Sequence, residues 1–270
     1  SDLRSGDGTP PLLMAAMNGQ FDLVPKLIER GADPNIVSNA GTSPLFAVLE
    51  RKWAPKASYA HPIEHQQQQA THLDVIRALL EAGADPNIRM NQHLWYTEYT
   101  FFVMSSGGIH YSGATPFWRA TQALDLDAMH LLKEYGAKPD IPNIKRPKRR
   151  RPMDQTADPE EPVKEEVDHS GLPPIPNGGP SLYPIHLAAG AGYGQYFVGT
   201  AHRHVPDNWL PAVKFLVEEC GADVNLRDAN GYTALHHAAS RGDNKVITYL
   251  LDKGARSEER RVGKECRSRW

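Results

Sequence analysis

The sequence predicts an all-α solenoid in which about five helix-turn-helix repeats stack side by side, with long insertions. Two observations carry this prediction. A short closing motif that begins with glycine recurs five times along the 270 residues. Each closing motif follows two short segments whose apolar residues recur at helical spacing. A helical hairpin this thin cannot bury its own apolar face, so it must stack on neighbours.

The clearest unit runs from Leu226 to Ala255. Thr233 is placed to cap a first helix, whose apolar stripe is Leu235, Ala238 and Ala239. A second helix has four apolar residues at helical spacing, Val246, Ile247, Leu250 and Leu251. Gly254 then stands where a helix C-terminus favours a left-handed residue.

The other units are found from the glycine that closes each of them. The five glycines are Gly31, Gly83, Gly136, Gly221 and Gly254, and they lie 52, 53, 85 and 33 residues apart. Against a repeat of about 33 residues, the first three spacings hold 19, 20 and 52 extra residues. We predict one elongated domain over residues 1–255, with repeats at 7–36, 37–88, 89–141, 142–226 and 227–255. The inner helices are expected to begin near Leu12, Pro44, Pro116, Pro184 and Ala234.

The extra residues fall into two classes. Insertions at 50–70 and 190–208 split the two helices of the second and fourth repeats. Insertions at 89–112 and 142–180 replace turns between repeats, so these two fingers leave from one edge and are expected to touch. In the second repeat the outer helix is expected to begin near Ile63, because Pro62 suits a first helical turn. In the fourth, Asp207 is expected to cap an outer helix at Trp209–Cys220.

These units resemble ankyrin repeats. The residues that carry the resemblance are the helix start at Thr233, Ala234, Leu235 and His236, its counterparts in the other units, and the Gly-Ala closures. The resemblance covers about residues 7–255 and implies a non-enzymatic module that binds a protein partner. It also implies that His186 and His236 make buried hydrogen bonds between repeats. The stretches AVLERKWAPKASY, GATPFWRA, GLPPIPNGGP and AHRH are similar to a bacterial subgroup of insert-bearing ankyrin proteins, often with export signals, which implies export.

The segment Arg256–Trp270 resembles the conceptual translation of a sequencing adapter, and we expect it to be a non-native tail. Without its six basic and three acidic residues the net charge changes from −2 to −5. An acidic body argues against nucleic-acid and membrane binding, and the basic run at 145–151 is followed by an acidic run that offsets it. Of the two cysteines only Cys220 lies outside the tail, so no internal disulfide is expected.

Aromatic residues are the strongest candidates for a binding site. They are concentrated in the first finger and just after it, at Trp95, Tyr96, Tyr99, Phe101, Phe102, Tyr111 and Trp118. Part of this set is needed for packing, and the remainder is of the residue type that most often anchors a protein partner. We therefore predict that the finger and the concave face bind protein. Apolar ends of the array are expected to cause weak self-association.

Histidines offer an alternative. His202 and His204 alternate along the chain, which on an extended strand places both rings on one face. Two ligands are too few for a zinc site, and a third would have to come from elsewhere, such as His169 or Asp207. No nucleophile elbow, phosphate loop or zinc-ligand pair stands at diagnostic spacing, so we predict no cofactor and no catalytic residue. An exported enzyme or a small-ligand or metal-binding protein is the alternative, and a pocket enclosed by two or more insertions would favour it.

Overall fold

The computed structural model describes residues 4–53, 66–93, 109–146, 173–193 and 203–257. These ranges contain ten α-helices paired as five hairpins and no β-structure beyond one bridge between Ile144 and Pro180. The inner helices are α1 (Pro11–Met17), α3 (Pro44–Trp53), α5 (Pro116–Gln122), α7 (Pro184–Ala188) and α9 (Ala234–Arg241). The outer helices are α2 (Leu23–Glu29), α4 (His72–Glu81), α6 (Leu126–Glu134), α8 (Trp209–Lys214) and α10 (Asn244–Asp252). The predicted all-α repeat fold is confirmed.

Stacking follows chain order. The five inner helices contact one another in sequence, and the outer helices contact their neighbours from α2 to α6 and from α8 to α10. One apolar core runs through all five hairpins. Four inner helices begin at the predicted residue, and α1 begins one residue before Leu12. Among the helices in the described ranges, none has the length and apolar content needed to cross a membrane.

The outer helix of the second repeat begins later than predicted. It starts at His72 instead of near Ile63, which itself lies outside the described residues. Thr71 and Asp74 form a capping box: the Thr71 hydroxyl accepts from the Asp74 amide at 3.2 Å, and the Asp74 carboxylate accepts from the Thr71 amide at 2.8 Å. This reciprocal cap fixes the helix start more strongly than an upstream proline does.

The outer helix of the fourth repeat also differs from its prediction. Asn208, not Asp207, is the N-cap residue, and Asp207 instead adopts a left-handed φ of 62°. Beyond Lys214 the helix widens into a π-helix, Phe215–Glu219, in which the Cys220 amide donates to the Phe215 carbonyl at 3.2 Å. A π turn accommodates one additional residue. The repeat therefore fits a longer helix without shifting its closing glycine.

The third residue of helices α5 and α7 bonds to the repeat that follows. His186 accepts the Tyr183 amide through Nδ1 at 3.1 Å and donates from Nε2 to the Leu226 carbonyl at 2.9 Å. Trp118 occupies the same helix position, and its indole N–H donates to the Leu182 carbonyl at 2.9 Å. The buried inter-repeat bond expected of His186 is confirmed. Where tryptophan replaces histidine, it also donates to the backbone of the next repeat, but to a carbonyl two residues before α7.

Asparagine side chains join the closing loops. Asn35, Asn87 and Asn225 each donate to the closing glycine carbonyl of the following repeat, at 2.9, 3.0 and 3.2 Å. Each also accepts a backbone amide two residues beyond that glycine, at 2.7, 2.8 and 2.8 Å. The last of these amides belongs to Arg256, the first residue of the predicted tail. A single side chain therefore satisfies two backbone groups across each of these junctions.

Replacing Asn87 by alanine removes both hydrogen bonds of one such junction. We expect the free energy of unfolding, measured by urea denaturation, to fall by about 1 to 2 kcal/mol. Asn244→Ala is the matched control, since this exposed residue forms no side-chain bond across a junction, and its effect is expected to stay within about 0.5 kcal/mol. Equal losses in the two variants would contradict the junction role.

Protonation of His186 provides a second test of the fold. Burial, followed by the charge of His237, lowers the pKa of His186 to about 4 despite the opposing effects of the Leu226 carbonyl and Asp228. The unfolded chain binds this proton near pH 6.5 and the folded chain near pH 4, so stability decreases as the pH falls through that window. The loss from this group is roughly 3 kcal/mol.

We expect His186→Gln to reduce the slope of unfolding free energy against pH between pH 6.5 and 4. Urea denaturation at several pH values measures that slope for both proteins. An unchanged slope in the variant would assign the pH dependence to other groups.

Candidate functional site

Five of the seven predicted aromatic binding residues, Trp95 to Phe102, lie outside the described residues. The other two are core residues. Tyr111 is 1% exposed and Trp118 is 0% exposed, and the two rings meet edge to face with centroids 6.1 Å apart. The expectation that Tyr111 and Trp118 contact a partner is corrected, because both rings are buried in the core and are not accessible.

These two rings belong to a second apolar cluster beneath the finger stems. The cluster comprises Phe46, Met90, Ile109, Tyr111, Ala114, Trp118, Leu187 and Ala191. It draws residues from the second, third and fourth repeats. The cluster therefore gives the base of the first finger a core of its own, which includes Phe46, Trp118 and Leu187 of the inner helices.

Backbone hydrogen bonds hold the stem of the first finger closed. The Met90 amide donates to the Ala114 carbonyl at 2.9 Å, and the Gly113 amide donates to the Met90 carbonyl at 2.7 Å. Above this pair, the Tyr111 amide donates to Nδ1 of His93 at 3.1 Å. Burial, then the charges of His110 and Arg146, lowers the pKa of His93 to about 3, so this ring stays neutral at physiological pH.

The two fingers touch, as predicted, at the described ends of their stems. The Ile144 amide donates to the Ser112 carbonyl at 2.8 Å, and the Asn143 side chain donates to the His110 carbonyl at 2.7 Å. Arg89 reaches from the first stem to the second and donates to the Pro142 carbonyl at 2.7 Å. The stems form one continuous base.

His204 packs among aromatic side chains, and His202 lies outside the described residues. The centroid of the His204 ring is 4.9 Å from that of Trp209 and 6.0 Å from that of Tyr193. Arg241 covers Trp209 at 3.9 Å. In the part of the chain that the structure describes, no three His, Cys, Asp or Glu side chains are grouped to hold a metal ion. His204 is therefore in an environment of packed aromatic rings.

The inner helices of the three middle repeats are closed off from solvent. Every residue of Pro44–Glu50, of Pro116–Gln122 and of Pro184–Ala188 is buried. Helices α1 and α9 at the two ends of the array each keep exposed residues, such as Met14 and Ser240. The predicted concave binding face is therefore corrected for the middle repeats, where the inner-helix side chains are not accessible to a partner.

A charged pair lies within these closed helices. Arg119 of α5 donates from Nε to Oε2 of Glu50 of α3 at 2.5 Å and from Nη2 to the Trp53 carbonyl at 3.0 Å. The two residues are only 1% and 2% exposed. Burial alone would lower the pKa of Arg119, but the adjacent Glu50 carboxylate outweighs burial and the net effect raises that pKa, so the guanidinium stays charged. The pair joins the second repeat to the third.

Asp125 also joins the second repeat to the third, through hydrogen bonds to two neutral or polar side chains. Its Oδ2 accepts from the Trp53 indole and from Nε2 of His72, both at 2.8 Å. Its Oδ1 caps α6 by accepting the Ala128 amide at 3.2 Å. Burial raises the pKa of Asp125, but the hydrogen bonds from His72 and Trp53 lower it below its usual value. Trp53 is the last residue of α3 and His72 the first of α4, so both ends of the segment between these helices are attached to this carboxylate.

The insertion of the fourth repeat reaches the same loop. The Val205 amide donates to the Ala123 carbonyl at 2.9 Å, and the Asn208 side chain donates to the Leu124 carbonyl at 3.1 Å. Leu124 has a φ of 53°, at a position that glycine occupies in the first and last repeats as Gly19 and Gly242. A bulky residue in this conformation is strained. Both helix-splitting insertions therefore converge on residues 123–125 of the third repeat.

Comparison with known proteins agrees with this geometry. A family model described as ankyrin repeats in many copies matches residues 201–251, and a model of the single ankyrin repeat matches residues 7–39. The chain is an ankyrin-repeat protein. Both matches coincide with repeats in which the structure shows paired helices and a closing glycine.

Several ankyrin-containing proteins are similar to parts of this ankyrin chain. The Notch-regulated ankyrin repeat-containing protein of Xenopus tropicalis is 40% identical over 60 residues, which is 22% of this chain and 52% of that protein. The E3 ubiquitin-protein ligase KEG of Arabidopsis thaliana is 25% identical over 94% of this chain but only 15% of its own length. The BTB/POZ domain and ankyrin repeat-containing protein NPR1 of Malus hupehensis is 58% identical over 14% of this chain and 6% of its own length. This chain spans a small part of these plant relatives and about half of the Xenopus protein.

Sequence reasoning did not identify Glu50, Arg119 or Asp125. A signal was present in the sequence, because three of the four stretches singled out above contain residues of this region. AVLERKWAPKASY contains Glu50 and Trp53, GATPFWRA contains Arg119, and AHRH contains Arg203 and His204. A charged residue inside an otherwise apolar inner helix distinguishes the first two of these stretches from an ordinary repeat.

Removing one member of the buried pair tests its role. Arg119→Met leaves the Glu50 carboxylate buried without its partner, and we expect the free energy of unfolding to fall by about 3 to 5 kcal/mol. The double variant Glu50→Gln, Arg119→Met removes that charge and is expected to recover part of the loss. Urea denaturation of the two variants measures the difference, and a double variant no more stable than the single one would contradict the pairing.

Proposed function

We propose that this ankyrin-repeat chain is a non-enzymatic protein-binding module whose partner surface lies on its insertions, chiefly the first finger. Ankyrin repeats are typical of protein-protein interaction modules. The observation that carries the proposal is the burial of α3, α5 and α7 along their inner faces. The inner helices, which usually contact the partner of an ankyrin array, are buried here. We therefore expect the inserted segments to form the partner surface.

The stem of the first finger supports this proposal. Three features fix where residue 93 leaves the body and where residue 109 returns. They are the backbone hydrogen bonds of the stem, its contacts to the second finger and the apolar cluster beneath it. A binding segment anchored at both ends loses less conformational entropy on association than a free one. The finger base is thus suited to presenting residues 94–108 to a partner.

The composition of that segment supplies the anchors. Trp95, Tyr96, Tyr99, Phe101 and Phe102 provide five aromatic rings within eight residues. Tryptophan and tyrosine dominate the binding energy of protein interfaces, because each buries a large area with few rotatable bonds. Burial of Tyr111 and Trp118 concentrates the proposed partner contact on these five residues.

The test compares proteins captured from a bacterial lysate by the wild-type chain and by Trp95→Ala, Tyr99→Ala, using quantitative mass spectrometry. For a captured protein that is then purified, we expect each substitution to weaken binding by roughly 2 kcal/mol, about thirtyfold in Kd. The melting temperature is expected to stay within error, since both residues lie beyond the stem ladder.

The matched control is Met14→Ala, Leu23→Ala, which removes two apolar side chains that are 41% and 44% exposed in the first repeat. The control should capture the same proteins as the wild type. Equal capture by the finger variant would place the partner surface elsewhere. Weak self-association through such exposed end residues is the accompanying proposal, and sedimentation velocity of the control variant tests it.

A further inference from the structure

A groove lies between α8 and α10, the outer helices of the last two repeats, and has a volume of about 460 Å³. Leu210 and Lys214 of α8 line one wall, and Lys245, Thr248, Tyr249 and Asp252 of α10 line the other. Leu210 and Tyr249 are partly buried and pack against the core, whereas the other four side chains are exposed. The groove therefore has an apolar floor and a polar rim that is open to solvent.

The Tyr249 ring is held in place at this floor. Its hydroxyl donates to Oε1 of Glu218 at 3.0 Å, and the same oxygen pairs with Nζ of Lys253 at 3.0 Å. The ammonium groups of Lys214 and Lys253 lie 5.6 and 5.5 Å from the centroid of the ring. A side chain that binds against Tyr249 therefore meets a ring whose orientation is already set, which reduces the entropy cost of binding.

The rim carries more positive than negative charge. Lys214 and Lys245 stand on opposite walls, and within the described ranges neither of them forms an ion pair. Asp252 is the acidic residue of the lining, and the nearby Glu218 is already paired with Lys253. Since the whole chain has a net charge of −2, the rim is a positive region on an acidic protein. Charge complementarity therefore favours an acidic partner.

The length of the groove suits a short stretch of polypeptide. From Lys245 to Asp252 the wall formed by α10 extends about 10 Å, at 1.5 Å per helical residue. An extended chain advances about 3.3 Å per residue, so about three residues cover that length. A small molecule would need enclosure on most of its sides. A groove that is open along two helices is better matched to a peptide.

We propose that this groove binds a short acidic peptide segment of a partner protein. An apolar side chain of the segment enters between Leu210 and Tyr249, and carboxylates on either side of it pair with Lys214 and Lys245. Binding thus combines burial of apolar area with complementary charge. The groove shares no residue with the finger segment at 94–108, so the failure of one binding proposal leaves the other intact.

Other partners fit this groove less well. A nucleic acid or an anionic membrane would meet the two lysines with its phosphates, but it would leave the apolar floor without a partner. A basic peptide would be repelled by both lysines.

The test uses a synthetic probe, the pentapeptide acetyl-Glu-Glu-Leu-Glu-Glu-amide, titrated into the isotopically labelled full chain at constant ionic strength. We expect saturable shifts of backbone amide NMR signals in α8 and α10. A probe with alanine in place of the central leucine should bind about fivefold more weakly, and a probe with four lysines in place of the glutamates should not bind. Absence of saturable shifts in these two helices overturns the proposal. Equal Kd values for the leucine and alanine probes would show a general attraction to anions and would also overturn it.

Reversing the charge of the rim separates this groove from other basic surfaces. Lys214→Glu, Lys245→Glu is expected to weaken binding of the acidic probe about tenfold and to allow the lysine probe to bind. Both lysines are exposed, so the melting temperature should stay within error. The matched control, Lys26→Glu, Arg77→Glu, makes the same change in net charge at exposed residues of α2 and α4, and it should leave the Kd unchanged. An equal effect in the two double variants, or none in the first, contradicts the proposal.

Discussion

Stacking of thin helical hairpins is the constraint on which this structure depends. No hairpin can bury its own apolar face, so each repeat takes its stability from the junctions on either side. The junctions share one apolar core and two kinds of polar contact. The third residue of an inner helix donates across the junction near the core, as His186 does, and a closing-loop asparagine such as Asn87 bridges the rim. Apolar burial supplies the driving force, and these polar contacts fix the register.

Both helix-splitting insertions are attached to the third repeat. Asp125 holds the two flanks of the earlier insertion, and the carbonyls of Ala123 and Leu124 hold the end of the later one. These attachments accompany the burial of the middle inner helices. The inner helices that line the groove of an open ankyrin array are buried in the middle repeats of this one. Its former groove is an interior that contains the buried ion pair of Glu50 and Arg119.

The sequence was sufficient to predict the repeats and the helix starts, because glycine and proline positions impose local backbone geometry whatever the neighbours are. The same reasoning was wrong about Ile63, where a capping box at Thr71 competes with an upstream proline. It was also wrong about Trp118, since aromatic composition is the same for a core ring and a partner-binding ring. The Glu50–Arg119 pair and the Asp125 contacts join residues about 50 to 70 positions apart. No local pattern specifies such pairs, and only the stacking of the repeats brings them together.

The left-handed backbone of Leu124 lies where the two insertions are attached to the third repeat. Glycine adopts this conformation freely in the first and last repeats, whereas leucine adopts it against its own preference. Each insertion bonds to the loop in that conformation, through Asp125 on one side and the Leu124 carbonyl on the other. Both insertions therefore depend on one strained loop, and a substitution that alters the backbone at Leu124 would alter both attachments.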